Sequence, residues 1–364
     1  MPVTLDGLRR YAVARSFFTP TTLKRALQKF GFVQADPIRA PARAQDLTLR
    51  HRVKNYRAGD LERRYAALGV HEDFFVNYGF VTADVHALMH PRAGVSRWSP
   101  SQKASAQALL AFVRERGAVH PREVDAHFSH GSVTNYWGGS SNATTHLLDA
   151  MHYRGLLRVA RRAGGIRLYE VQTHSLDPLD AAARREHIDQ LVDVVVRTYA
   201  PLPALSLSGL VTRLRYAVPQ WRLGLNAALA RAKNRLAHAR IDGIDWYWPS
   251  EETPSTDAPQ AAVRFLAPFD PVVWDRRRFE MFWNWAYRFE AYTPPAKRQR
   301  GYYALPLLWR DRVIGWGNLS VQQGELHTDI GYLKSSAPRA PAFKRELGTE
   351  LDRMRVFLGL ASPS

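Results

Sequence analysis

The chain has 364 residues, 46% of them hydrophobic, and 51 Lys+Arg against 33 Asp+Glu give a formal net charge of +18. It has no cysteine, which excludes disulfides, thiol nucleophiles, cysteine zinc sites and iron–sulfur clusters. The charge excludes an acidic solvating protein and favours a polyanionic partner, nucleic acid first, because a fixed positive surface attracts phosphate.

In chain order, residues 1–95 read as mostly helical. Leu5, Leu8, Ala12 and Val13 recur at helical spacing. A threonine within Thr19–Thr22 caps a second helix, which buries Leu23, Ala26 and Leu27 and stops at Gly31. Phe32–Pro37 is extended, a helix over about 41–53 carries Arg43, Arg50, His51 and Arg52, and more helix covers about 59–68. Residues 99–173 start helices at Ser99 and His120 and a third after the glycine-rich Gly138–Asn142. The first buries Ala108, Leu109, Phe112 and Val113, and the third buries Leu147, Leu148 and Met151. Strands over 156–159 and 166–171 follow, joined at Gly164-Gly165. Helix, helix, helix, hairpin is the winged-helix order. Residues 185–249 repeat it loosely, with helices over about 187–198, 205–216 and 220–234 and strands over 237–241 and 244–248. Residues 250–259 are a polar linker. Residues 261–334 are β-rich, with strands over 263–266, 302–308, 313–321 and 326–330 and a helix over about 279–285. A last helix over 343–358 places Leu347, Leu351, Met354 and Leu358 on one face. The expected class is α+β, with winged-helix domains over 1–98, 99–175 and 176–258 and a C-terminal β-rich domain with a terminal helix over 259–364.

The common catalytic signatures are missing. There is no G-x-S-x-G, no P-loop and no three-glycine dinucleotide fingerprint; Gly315-Trp316-Gly317 lacks the rest. His86 and His90 are four apart, but no glutamate stands between them and a metal needs at least a third ligand, so they read as helix or loop histidines. His120, His127 and His130 read as charge complementing a helix C-terminus or a phosphate. In a winged helix the third helix enters the major groove and the wing meets phosphate. Asn142, Thr145, His146, His152 and Arg154 are its outward candidates, and Arg158, Arg161, Arg162 and Arg167 lie on the wing. Gln34-Ala35-Asp36 is the most suggestive short feature. In an extended segment positions i and i+2 share a side, so amide and carboxylate form one polar face while Val33 and Ala35 face the core. Pro37 supports this by pushing Asp36 out of the helical region. The alternative is Asp36 as a helix N-cap with Pro37 at the first helical position.

Several longer stretches carry a resemblance: Gly31–Asp36, Arg43-Ala44-Gln45-Asp46-Leu47, Tyr136–Ser141, Arg158–Arg162, Phe265–Asp270 on through Trp274–Arg278, Tyr287–Tyr292, Pro295–Arg298, Gly301–Pro306 and Gly315. Across these the chain resembles the winged-helix DNA glycosylases of the AlkZ/YcaQ type, which excise alkylated bases and unhook interstrand crosslinks. The resemblance implies about three tandem winged helices forming a C-shaped channel, plus the β-rich domain. It implies a monofunctional DNA repair glycosylase acting on alkylated purines of the N7-alkylguanine type, crosslinked ones included. Gln34 and Asp36 take the catalytic positions of the Gln-x-Asp branch. Gln45 departs from the pattern, since many relatives carry His there.

The chemistry suits these residues. An N7-alkylated guanine is already cationic and leaves without a general acid. A carboxylate stabilises the oxocarbenium-like sugar and activates water, while an uncharged amide holds water or orients the sugar. Neither metal nor organic cofactor is expected. The expected partner is double-stranded DNA with alkylation lesions or crosslinks, met by Arg39, Arg43, Arg50, Arg52, His146, Arg161, Arg162, Arg276, Arg277, Lys297 and Arg298. Trp137, Trp274 and Trp316 are candidates to stack or wedge at a distorted duplex. No basic-then-apolar leader precedes Asp6, so a cytoplasmic, nucleoid-associated protein without membrane contact, monomeric by default, is expected. The rival is a non-catalytic winged-helix DNA-binding transcriptional regulator. The enzyme reading asks that Gln34 and Asp36 open together into a basic channel; burial of both leaves only a duplex-gripping scaffold.

Overall fold

Side-chain caps set the first elements. Thr4 accepts from the Gly7 N–H at 3.1 Å and starts the helix Leu5–Ser16; Thr22 accepts from Arg25 at 3.3 Å and starts Leu23–Phe30. Gly31 closes that helix at φ 72°, where a side chain is strained. These elements belong to a computed structural model that describes residues 3–94, 97–128, 132–134, 140–173, 179–254, 259–334 and 336–360. The described chain divides into two compact units, Met1–Leu61 with Asp193–Gly209 and Arg231–Ser364, and Glu62–Val192 with Leu210–Ala230.

In the first unit the strand Phe32–Gln34 is buried along its length. The helix expected over 41–53 shortens to Ala44–Leu49, and the chain from Ala35 to Arg43 forms a loop. An antiparallel four-stranded sheet runs in the order Val263–Phe265, Leu305–Trp309, Arg312–Gln322, Glu325–Tyr332. A Cβ on Gly315 would lie 2.1 Å from the Gly331 carbonyl oxygen, and one on Gly317 would lie 2.4 Å from the buried Phe265 ring. Gly315 and Gly317 are therefore close-packing positions of the sheet. A second antiparallel sheet orders Leu202–Pro203, Ile244–Trp248 and Ala237–Ile241, with Trp246 stacked on Phe282 at 5.2 Å. The terminal helix Pro341–Leu358 buries Phe343, Glu350, Met354 and Phe357 rather than the expected leucine stripe. Its inward face is chosen by Glu350, which takes the Arg50 guanidinium and the Phe265 N–H.

The second unit corrects the mostly helical expectation for residues 1–95. Val70–Phe74 and Tyr78–Thr82 form an antiparallel hairpin, followed by the helix Ala83–Met89. Tyr78, Phe80, Val81 and Thr82 are aromatic or β-branched and suit a pleated surface. Farther on, Ser99 and Gln102 close a capping box at the start of Pro100–Arg116. Pro121–Phe128, Ala143–Tyr153 and the hairpin Leu157–Ala163/Ile166–Val171 follow in the order read from sequence, with a further short pair Ser132–Thr134/Ser140–Asn142. Leu109, Phe112, Val113, Leu148, Met151 and Leu157 form their shared core. Ala108, expected there, is exposed; Ala106 is buried in its place.

Candidate active site

Gln34 ends the strand Phe32–Gln34, and Asp36 follows in the loop. The Asp36 side chain turns back on its own backbone: Oδ1 accepts from the Ile38 N–H at 2.8 Å, a local turn that short acidic side chains favour. Among the described residues no helix begins at Pro37, so the N-cap alternative is overturned. The Asp36 N–H donates to Gln45 Oε1 at 3.1 Å, and Gln45 is 1% exposed. Gln45 thus fixes the Asp36 backbone, a role with no local sequence signal.

Gln34 Oε1 accepts from Trp274 Nε1 at 2.6 Å, and Tyr303 OH donates to Asp36 Oδ1 at 3.5 Å, the outer limit of such a bond. Trp274 is placed by the one-turn helix Pro271–Trp274, which Asp270 caps by accepting from Val272 N–H at 3.0 Å. Burial pushes the Asp36 carboxyl above its ordinary value, against the lowering pull of the Ile38 N–H and the Tyr303 hydroxyl. The Tyr303 hydroxyl is pushed up by burial and by the Asp36 charge. Tyr303 also lines a cleft of about 760 Å³ shared with Arg39, Tyr302, Asn318, His327 and Asp329.

The structure corrects the expectation of an open pair. Gln34 is 6% and Asp36 8% exposed, with Trp274 hydrogen-bonded to the first and Tyr303 to the second. By the requirement stated above, the exposure of this pair taken by itself leaves only a duplex-gripping scaffold, and a catalytic role for it needs support from elsewhere. Burial has a chemical consequence: a carboxylate shielded from water interacts more strongly with a developing cation than a hydrated one does.

Several expected DNA contacts are also withdrawn. Arg52 is 0% exposed; its guanidinium meets Asp270 at 2.6 and 3.0 Å and the Ser16 and Thr48 carbonyls. Arg50 is paired with the buried Glu350. Arg162 holds Glu72 at 2.6 and 2.7 Å. His152, expected to face outward, is 2% exposed and bonds the Leu157 carbonyl at 3.2 Å. In each case an acceptor inside the fold already holds the charge or ring that DNA was to meet. Arg39, His146, Arg161, Arg277 and Lys297 are exposed, and Arg43 and Arg298 are half-buried. Arg276 lies over the Tyr287 ring at 4.6 Å and donates to the Val273 carbonyl. Trp274 and Trp316 are half-buried, whereas Tyr292 is 78% and Tyr302 45% exposed. These two tyrosines are the exposed aromatics that sequence reasoning missed. Trp137 lies outside the described residues, and of Asn142 only the backbone is described.

Glu290 organises the loop that leads to the cleft. Its carboxylate accepts from the Gln299, Arg300 and Gly301 N–H groups at 2.8 to 3.2 Å. Its pKa lies below the ordinary value: partial burial acts upward, and these three donors outweigh it. No helix among the described residues is long and apolar enough to cross a membrane.

Two comparisons bear on this geometry. A family model described as DNA glycosylase AlkZ-like matches residues 27–357. Among solved structures, Streptomyces sahachiroi DNA glycosylase AlkZ superposes with a TM-score of 0.63 at 14% identity, covering 99% of this chain and 98% of that one. At that identity the likeness is one of fold.

Proposed function

Since the chain belongs to the AlkZ-like family of DNA glycosylases, enzymes of DNA repair, we propose that it hydrolyses the N-glycosidic bond of alkylated purines in double-stranded DNA. The leaving base is of the N7-alkylguanine type, crosslinked purines included. Asp36 supplies the carboxylate that faces the developing sugar cation and activates water, and Gln34 orients water or sugar. What supports this beyond the family is the paired confinement of Gln34 by Trp274 and Asp36 by Tyr303, one wall away from a cleft that holds Arg39. In this proposal the Tyr303 hydroxyl gives way to the sugar of a displaced nucleotide, the 3.5 Å contact being the weakest that Asp36 makes. We further propose tandem winged helices, with residues 99–175 the clearest, monofunctional action, a monomer, and DNA contacts from the exposed arginines.

The deciding assay incubates the protein with duplexes carrying N7-methylguanine or a purine crosslink and then applies heat or alkali. Strand breaks at the lesion are expected. Binding without any abasic product returns the chain to the regulator alternative. Two further outcomes follow. Trp274→Phe removes the donor on Gln34 Oε1 while keeping an aromatic ring. Loss of one neutral hydrogen bond lowers the single-turnover rate by about 2–10-fold, with duplex affinity unchanged. Binding also weakens steeply with salt, because each phosphate neutralised contributes a slope of ~−0.9 in log K against log salt. Arg277→Ala is expected to reduce that slope by about one contact. A salt-independent affinity would remove the electrostatic groove from the proposal.

A further inference from the structure

The two histidines four apart in sequence lacked a third ligand, and the fold provides one. His86 lies on the helix Ala83–Met89 and His90 directly follows it, while Asp73 comes from the strand Val70–Phe74. Asp73 Oδ2 lies 2.7 Å from His90 Nε2 and 3.5 Å from His86 Nε2. Asp73 is 1%, His86 8% and His90 9% exposed. The three ligand atoms all lie within 4.8 Å of one another.

We propose that Asp73 Oδ2, His86 Nε2 and His90 Nε2 form a divalent transition-metal site, with zinc the metal best suited to two imidazoles and one carboxylate. The site is separate from the Gln34–Asp36 region and does not rest on the glycosylase reading. Metal–ligand bonds of ~2.0–2.2 Å in tetrahedral geometry hold ligand atoms ~3.3 Å apart. The observed 2.7 and 3.5 Å from the aspartate to the two histidines bracket that spacing. The His86 and His90 rings stack face to face, centroids 4.2 Å apart with 28° between their planes, so one ring must turn for both in-plane lone pairs to meet one metal. Metal binding requires neutral imidazoles. On binding, the Nε2 proton that His90 gives to Asp73 is replaced by the metal, and the neutral ring carries its proton on Nδ1.

Arg92 completes the surroundings. It donates to Asp73 Oδ1 at 2.7 Å and to the Ala217 and Phe74 carbonyls, at 2.8 and 3.1 Å. It thereby fixes the carboxylate and leaves Oδ2 turned toward the histidines, as an outer-shell partner does. Its positive charge also opposes a cation, so the site is moderate in affinity and is tested by titration. A bound ion would cross-link the strand Val70–Phe74 to the helix Ala83–Met89 and stabilise the folded unit by mass action.

The test uses the full chain, stripped with a chelator and titrated with Zn²⁺ or Co²⁺. The expected result is one equivalent of Co²⁺ with visible ligand-field absorption, and an unfolding midpoint that rises with Zn²⁺ concentration. His86→Gln and His90→Gln are each expected to lose both signals, while His146→Ala, exposed on another helix, keeps them. Absence of uptake by the wild-type chain overturns the site whether or not the variants fold. Uptake that persists in both glutamine variants also overturns it, leaving a metal-free buried polar cluster.

Discussion

Asp36→Asn is expected to lower base excision by ~10²–10⁴-fold while duplex affinity holds. The substitution keeps the side-chain shape and an oxygen for the Ile38 N–H and the Tyr303 hydroxyl, and removes only the charge. What is lost is the attraction to the oxocarbenium-like sugar, at a position shielded from water where that attraction is largest. The pH profile should carry the same signature. Burial raises the Asp36 pKa above the ordinary 3.8. The ionised form is the active one, so excision holds above the raised pKa and fades as pH falls through it, earlier than an exposed carboxylate would allow. The stability sign is opposite. A raised folded pKa favours the protonated form, so whatever stability the group contributes is present at low pH and lost as pH rises through that value. At neutral pH the asparagine variant should therefore unfold at an equal or higher denaturant concentration than wild type. Inactivity together with undiminished stability separates a chemical role from a folding one. Excision by Asp36→Asn at the wild-type rate would take Asp36 out of the mechanism.

The second large effect is on folding. Asp270→Ala is expected to destabilise the unit that contains it by about 3–5 kcal/mol, because it leaves the Arg52 guanidinium charged, buried and without its carboxylate. Both residues are 0% exposed, and Asp270 also caps the helix that carries Trp274. Urea unfolding measures the loss as a shift in midpoint. Replacing the pair with apolar residues of similar volume should cost much less, since removing both charges leaves neither stranded. If Asp270→Ala unfolds at the wild-type midpoint, the pair is not the clamp described here. A fall in activity beyond the unfolded fraction would report displacement of Trp274, whose helix Asp270 caps.

These two cases mark what could be read along the chain. Helix starts at Thr4, Thr22 and Ser99, the stop at Gly31 and the hairpin across Asp242-Gly243 are set by neighbours within a few residues, and local chemistry predicts them. The hairpin Val70–Thr82 was missed because its aromatic and β-branched run is short and abuts a helix. Arginines were the least legible. Arg52 and Arg277 look alike in sequence, yet one is held by an aspartate 218 residues away and the other is exposed.

The sequence by itself determined the charge balance, the extended strand that ends at Gln34, and the long C-terminal motifs that carry the family resemblance. Each of these rests on composition or on interactions a few residues long. Only the tertiary structure decided that Trp274 and Tyr303 bond the buried pair, that Gln45 holds the Asp36 backbone, and that Asp73 reaches the two histidines. Those contacts join residues 9 to 267 positions apart. A side chain's burial, and with it the strength of its charge, is fixed by what packs against it and has no local code.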